Sequence, residues 1–204
     1  MFRQNILMVL IALSLLEEQD ISMRAQRVEP PAHPVNTLAT GLVVVEIEIE
    51  RTTGKMQTRV LCGESLFVPS ALEALERWRF VTPPEPHIGR TSVTFFFRPP
   101  SIYSVKIGAM TIRPWDLDGD FPALPQEIID PGYPPTSLAT GAVILEVRVN
   151  ASGIVTGAGP VSGIEPMTDQ AQEAVKQWRF SPARISGKAV PSTVFVVISF
   201  VLPT

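Results

Sequence analysis

Few side chains in this sequence are spaced to do chemistry, and each has a simpler account. The two histidines, His33 and His87, sit among prolines, with no cysteine or carboxylate at metal-ligand or catalytic-triad spacing. The one cysteine, Cys62, lies between Leu61 and Gly63 at the end of a predicted strand. A free thiol there reads as a small buried hydrophobe; a reactive thiolate needs a base or a helix N-terminus beside it. Asp116, Asp118 and Asp120 alternate with Gly119 among them, which raises a calcium loop. Counted from Asp116, however, loop position six is Phe121, where such a loop requires glycine. Glu46 and Glu146 take equivalent places on the charged face of two predicted strands, and solvation is their expected role. There is no Gly-rich phosphate loop and no nucleophile elbow. The expectation is a protein that is not an enzyme, with no cofactor, no metal and no small-molecule substrate.

Composition narrows the class. The chain has 204 residues, 45% hydrophobic and 18% charged, an ordinary globular balance for one medium domain or two small ones. Net charge is −3 and the basic residues are scattered, so nucleic acid is an unexpected partner and no polybasic membrane-surface segment is present. A single cysteine excludes an intrachain disulfide. At the N-terminus Arg3 precedes an apolar run, Ile6 to Leu16, which Glu17, Glu18 and Asp20 end. That run is shorter than the roughly 20 residues of a membrane-spanning helix and fits a secretory signal. It is expected to direct export, as a signal peptide or as an inner-membrane anchor, with residues 1–28 forming that segment and a short linker.

What positions the remaining residues is a repeat. Shifting the sequence by about 100 residues superposes Thr37-Leu-Ala-Thr-Gly41 on Ser137-Leu-Ala-Thr-Gly141 and Trp78-Arg79-Phe80 on Trp178-Arg179-Phe180. Ala71, Glu73 and Ala74 fall on Ala171, Glu173 and Ala174, and Gly63 on Gly163. Each half reads as αββαβ. A Pro-initiated turn of helix (Pro34 to Thr40, Pro134 to Thr140) ends at Gly41 or Gly141, a suitable C′ residue. Strand one follows, with Val43, Val45, Ile47 and Ile49, or Val143, Leu145, Val147 and Val149, on one face. Gly54 and Gly153 close hairpins into weaker return strands, about 55–61 and 154–161. Ala71, Ala74, Leu75 and Trp78, and their counterparts Ala171, Ala174, Val175 and Trp178, mark one face of the second helix. Thr168 or Asp169 is a candidate N-cap, and Pro69 suits a first turn.

Strand three spans 92–97 and 192–202, and its second copy is apolar at nearly every position. Antiparallel pairing throughout each half requires strand order 2-1-3, which leaves strand three at an edge. The fold expected is therefore α+β, two tandem modules over 29–98 and 131–204, each a three-stranded antiparallel sheet packed by a helix. Such an edge either accepts a partner's strand or is covered within the chain by the other repeat; both readings stand at this point. The segment 99–130 between the modules, rich in proline and aspartate, reads as a solvated connector, with a short strand possible within Val105–Pro114. Arg79 and Arg179 are expected to stack on an aromatic ring or to close the helix C-terminus.

The second half resembles the C-terminal domain of TonB. The marks are Tyr133-Pro134, Gly141, Ser152-Gly153, the passage Trp178-Arg179-Phe180 with Pro182 and Ala183, and Gly187-Lys188 before the last strand. The resemblance covers residues 130–203 well and 32–98 more loosely. It implies an envelope protein that binds an extended peptide of an outer-membrane transporter by strand addition, energised by an inner-membrane proton-driven complex. The docking edge carried over is Val194, Phe195, Val196, Val197, Ile198, Ser199 and Phe200. A periplasmic adaptor, or a homodimer, using the same edge without energy coupling is the alternative. About seventeen residues separate Leu16 from Pro34, at most roughly 60 Å of extended chain, short for spanning a periplasm.

Overall fold

The structure, a computed structural model, describes residues 23–34, 37, 39–50, 53–81, 88–98, 109–112, 115, 117–133, 137 and 139–200. Residues 1–22 of the expected signal or anchor segment, half of the residues of the two opening helices, including Pro134, and His87 lie outside them. Thr37, Ala39, Thr40, Ser137, Ala139 and Thr140 are described and are not helical. There the hydroxyls of Thr37 and Ser137 accept hydrogen bonds from the amides of Ala39 and Ala139, at 3.0 and 3.1 Å. Such local side-chain bonds compete with helix formation.

In chain order the elements are β1 (Arg24–Arg27), β2 (Gly41–Glu50), β3 (Lys55–Gly63), α1 (Val68–Glu76), β4 (Arg79–Val81) and β5 (Ile88–Phe97). Then come β6 (Ala109–Thr111), β7 (Leu124–Ile129), β8 (Gly141–Val149), β9 (Val155–Ser162) and α2 (Met167–Val175). β10 (Arg179–Ser181), β11 (Ala183–Ile185), β12 (Lys188–Val190) and β13 (Ser192–Phe200) complete the series. The fold is α+β, as expected, but the two halves do not make separate sheets. One six-stranded sheet runs β3-β2-β5-β13-β8-β9. Each half keeps its 2-1-3 order, and the third strands meet at the centre, where β13 pairs with β5 in parallel from Phe195↔Val93 to Ser199↔Phe97.

That parallel seam places the helices on opposite faces. Successive strand residues point to opposite sides. Val194, Val196, Ile198 and Phe200 of β13 pack with Ala171, Val175 and Trp178 in one core. Phe195 and Val197 pack with Ala71, Leu75 and Trp78 in the other. β5 is shared in the same way, with Phe95 and Phe97 on the α1 side and Phe96 on the α2 side. Every residue of β13 is buried, which is the physical reason its sequence is apolar at consecutive positions.

The repeat extends further upstream than the sequence suggests. β1 pairs with β4, and β7 with β10, so each Trp-Arg-Phe passage carries a strand contributed from before its module. Trp78 donates its Nε1–H to the Glu29 carbonyl at 2.8 Å, and Trp178 donates to the Ile129 carbonyl at 2.9 Å. Met23 is fully buried in the same core as Trp78, and β1 pairs with β4, so residues 23–28 belong to the fold rather than to a linker. The connector is likewise not solvated over its second half. Ala123, Leu124 and Ile128 are buried, and Phe121 and Leu124 cover Val44 on the face of β2 turned away from α1. Asp120 accepts the Ser186 amide at 2.6 Å in the tight turn between β11 and β12, where Ser186 and Gly187 take φ of 50° and 76°. β6 lies within the segment where a short strand was anticipated.

Candidate protein-interaction surface

Val194 to Phe200 do not form a free edge. β13 is bonded to β8 from Ser192↔Val149 to Phe200↔Gly141 on one side and to β5 on the other. The reading in which the other repeat covers this strand is the one realised. Its cause is hydrophobic: an edge strand with both faces apolar leaves one face in water, whereas at the centre of a six-stranded sheet both are covered.

A buried ion pair fastens the seam. Arg98, just past β5, reaches into the second half, where its Nε donates to Asp130 Oδ1 at 2.6 Å. The two side chains are 1% and 0% exposed, so the pair is fully desolvated. The guanidinium also lies over the Phe200 ring, 5.5 Å from its centroid, and the Arg98 amide donates to the Ser199 carbonyl at 3.3 Å. Asp130 Oδ1 additionally accepts the Gly132 amide at 3.0 Å. Sequence reading missed this pair, because the partners are 32 residues apart, the arginine at the end of the first module and the aspartate in the segment read as a solvated connector.

The motif residues are structural. Trp78 and Trp178 are buried, and Phe80 and Phe180 pack beside them, with ring centroids 5.8 and 6.2 Å apart. Arg79 donates to the carbonyls of Glu76, the last residue of α1, and Trp78 at 2.9 and 2.7 Å, closing that helix end. Arg179 donates to the Trp178 carbonyl at 3.3 Å, beyond the end of α2. Tyr133 is buried against Phe200, and its hydroxyl donates to the Ala139 carbonyl. Burial pushes the Tyr133 phenol up, with Arg98 opposing. Gly141 and Gly153 take φ of 145° and 77°, and a side chain at Gly153 would meet the Phe180 carbonyl. The expected N-caps fail: α2 starts at Met167, with Thr168 and Asp169 inside its first turn.

Nor do the candidate chemical groups assemble. Among the described residues no three of His, Cys, Asp and Glu are grouped to hold a metal ion. Glu46, expected in solvent, is buried and bonded to Arg59 at 2.6 Å. Cys62 is half-buried, and burial raises its thiol pKa, keeping it protonated.

Among the described residues, the strands left open at the rims of the sheet are β3 and β9. β9 is poorly suited to pairing. It holds Gly157, Gly159 and Pro160, its ladder to β8 is broken at two places, and the Gln172 side chain of α2 donates to the Ala158 carbonyl at 3.0 Å. β3 has no proline, and its pairing with β2 runs unbroken from Lys55 to Val60. Beside it, Glu46, Glu48, Gln57, Thr58 and Arg59 line a shallow polar depression.

No helix among the described residues is long and apolar enough to cross a membrane. No curated protein matches the chain. No solved structure matches it either. The family described as Gram-negative bacterial TonB protein C-terminal matches residues 133–202, the span from the buried Tyr133 through β13. Domains of that family are non-catalytic and bind other proteins in the cell envelope. Over residues 133–202 the chain is therefore similar to the TonB C-terminal family.

Proposed function

We propose that the chain is a cell-envelope protein-binding module of the TonB type, in which residues 29–98 are a second, divergent copy of the C-terminal domain. It captures an extended peptide of an outer-membrane transporter by adding it as a strand, and so contributes to energised transport across that membrane. The family match over β8 to β13 carries this reading. The fold supports it in one further respect: a six-stranded sheet with an unprotected outer strand is suited to main-chain recognition of an extended segment. The buried seam sets a limit, since the strand that the resemblance nominates for docking is already paired on both sides.

A second reading, an adaptor or scaffold without energy coupling, is favoured by the short apolar run at Ile6 to Leu16 and the short reach beyond it. Titration of the isotope-labelled protein with peptides from the N-terminal segments of outer-membrane transporters tests the binding. Saturable amide shifts along one strand are expected, and their absence with every such peptide removes the transporter. Fractionation with mass analysis of the N-terminus then separates the readings. An intact terminus in the inner membrane is required for energy transduction, and a cleaved, soluble protein leaves the adaptor.

A further inference from the structure

The geometry points to β3 as the docking strand, with an extended, acidic segment of a protein partner as its occupant. This deepens the binding function proposed above and rests on it.

Both outer strands derive from the same place in the repeat, yet only one is built to be closed. With the 100-residue offset, Pro160 falls at Val60, Gly159 at Arg59 and Gly157 at Gln57. Proline removes an amide, glycines loosen the strand, and the breaks in the β8–β9 ladder twist it away from flat pairing. Gln172 bonds a β9 carbonyl, whereas its counterpart in α1 is Leu72, which has no group to donate. β3 has no proline, and its single ladder break and its glycine, Gly63, both lie beyond Val60, so Lys55 to Val60 stay flat. Val60 is 37% exposed, as is Val161 of β9.

Charge identifies the occupant. A strand added to β3 places its side chains about 4.5–5.5 Å from those of β3, within pairing distance. The ionisable side chains of β3 are Lys55, Arg59 and the neutral Cys62 thiol, so the near neighbours of the incoming strand are basic. The carboxylates Glu46, Glu48 and Glu50 lie one strand further in. The first two are bonded to Arg59 and Arg90, and Glu50 stands opposite Lys55 in the ladder and accepts the Thr53 hydroxyl at 2.9 Å. Lys55, Gln57 and Arg59 share one face, and Met56, Thr58 and Val60 the other. The fitting segment therefore alternates acidic residues on the first face with apolar residues on the second. A second copy fits less well, because antiparallel self-pairing centred on Gln57 sets Lys55 opposite Arg59.

The test uses two blocked decapeptides, one alternating glutamate with valine and one alternating lysine with valine, added to the isotope-labelled full chain. Expected are saturable amide shifts confined to Lys55–Gly63 and the β2 residues behind them, with β9 silent and the glutamate peptide preferred. Lys55→Glu, an exposed change, should weaken the glutamate peptide about three- to tenfold, with the circular dichroism spectrum unchanged. Shifts at Val155–Ser162 instead, equal affinity for the two peptides, no shifts at Lys55–Gly63, or a homodimer mapping to β3 would each overturn the assignment. Because these probes are not transporter sequences, their failure leaves the transporter titration to be judged separately. Failure of the transporter peptides alone removes the partner class while leaving the edge.

Discussion

Phe195 belongs to the second repeat in sequence but to the first core in space, so truncating it should destabilise both halves together. Its ring is fully buried, 5.7 Å from Trp78 in an edge-on contact and 5.6 Å from Phe80, both residues of the first repeat. Phe195→Ala removes a buried aromatic from a packed site, at a cost of about 3–5 kcal/mol. That is a large part of the roughly 5–15 kcal/mol that holds a typical domain folded. With a urea slope near 2 kcal/mol per M, the midpoint should fall by about 1.5–2.5 M. Unfolding is followed by fluorescence in two backgrounds, one keeping only Trp78 and one keeping only Trp178, each compared with its own parent. Because β5 and β13 are hydrogen-bonded and feed both cores, the two probes should report one coincident transition, shifted equally by the substitution. If the Trp178 probe keeps its midpoint while that of Trp78 falls, the halves fold independently and the shared-seam reasoning is wrong. A cost under about 1 kcal/mol would equally refute the packing of Phe195.

Three further outcomes follow from the same geometry. Asp130→Ala strands the Arg98 guanidinium in a buried site and should cost about 3–5 kcal/mol in urea unfolding, much of it recovered in the Arg98→Met/Asp130→Leu double variant. Gly54→Ala and Gly153→Ala both force a side chain into positive φ, worth about 1–2 kcal/mol, but only the second also collides with the Phe180 carbonyl. Thermal melts should therefore rank Gly153→Ala well below Gly54→Ala. Cys62 has its pKa raised in the folded chain, so the unfolded thiol ionises first. Its contribution to stability is present below the ordinary thiol pKa and is lost as pH rises through the raised one. Alkylation of Cys62 at neutral pH should accordingly be slower than that of the urea-unfolded chain, with a rate that rises toward alkaline pH.

The sequence by itself determined the local elements. Period-two alternation from Val43 to Ile49 gave β2, and the alanine-tryptophan spacing gave the buried face of α1 and α2. The glycines at 54 and 153 mark turns that need positive φ. These signals are readable because each arises from one element's own geometry against a single apolar layer. The repeat and the second-half motif were legible for the same reason, as similarities between positions along the chain. Pairing across the seam has no such signature. The uninterrupted apolar run of β13 states that both its faces are covered, but the same run serves an edge awaiting a partner and a strand held between two others. Which of these obtains depends on where β5 lies, and that is decided by burying Phe96 in one core and Phe195 in the other. The same limit explains Arg98 and Asp130, whose charges read as surface groups until the fold removes both from water. It explains Met23 and Leu124 too, assigned to linkers because flanking segments have too few residues to show a period. Only the tertiary structure could turn the nominated docking strand inward and leave β3 at the rim, since an edge is a property of the assembled sheet rather than of any strand in it.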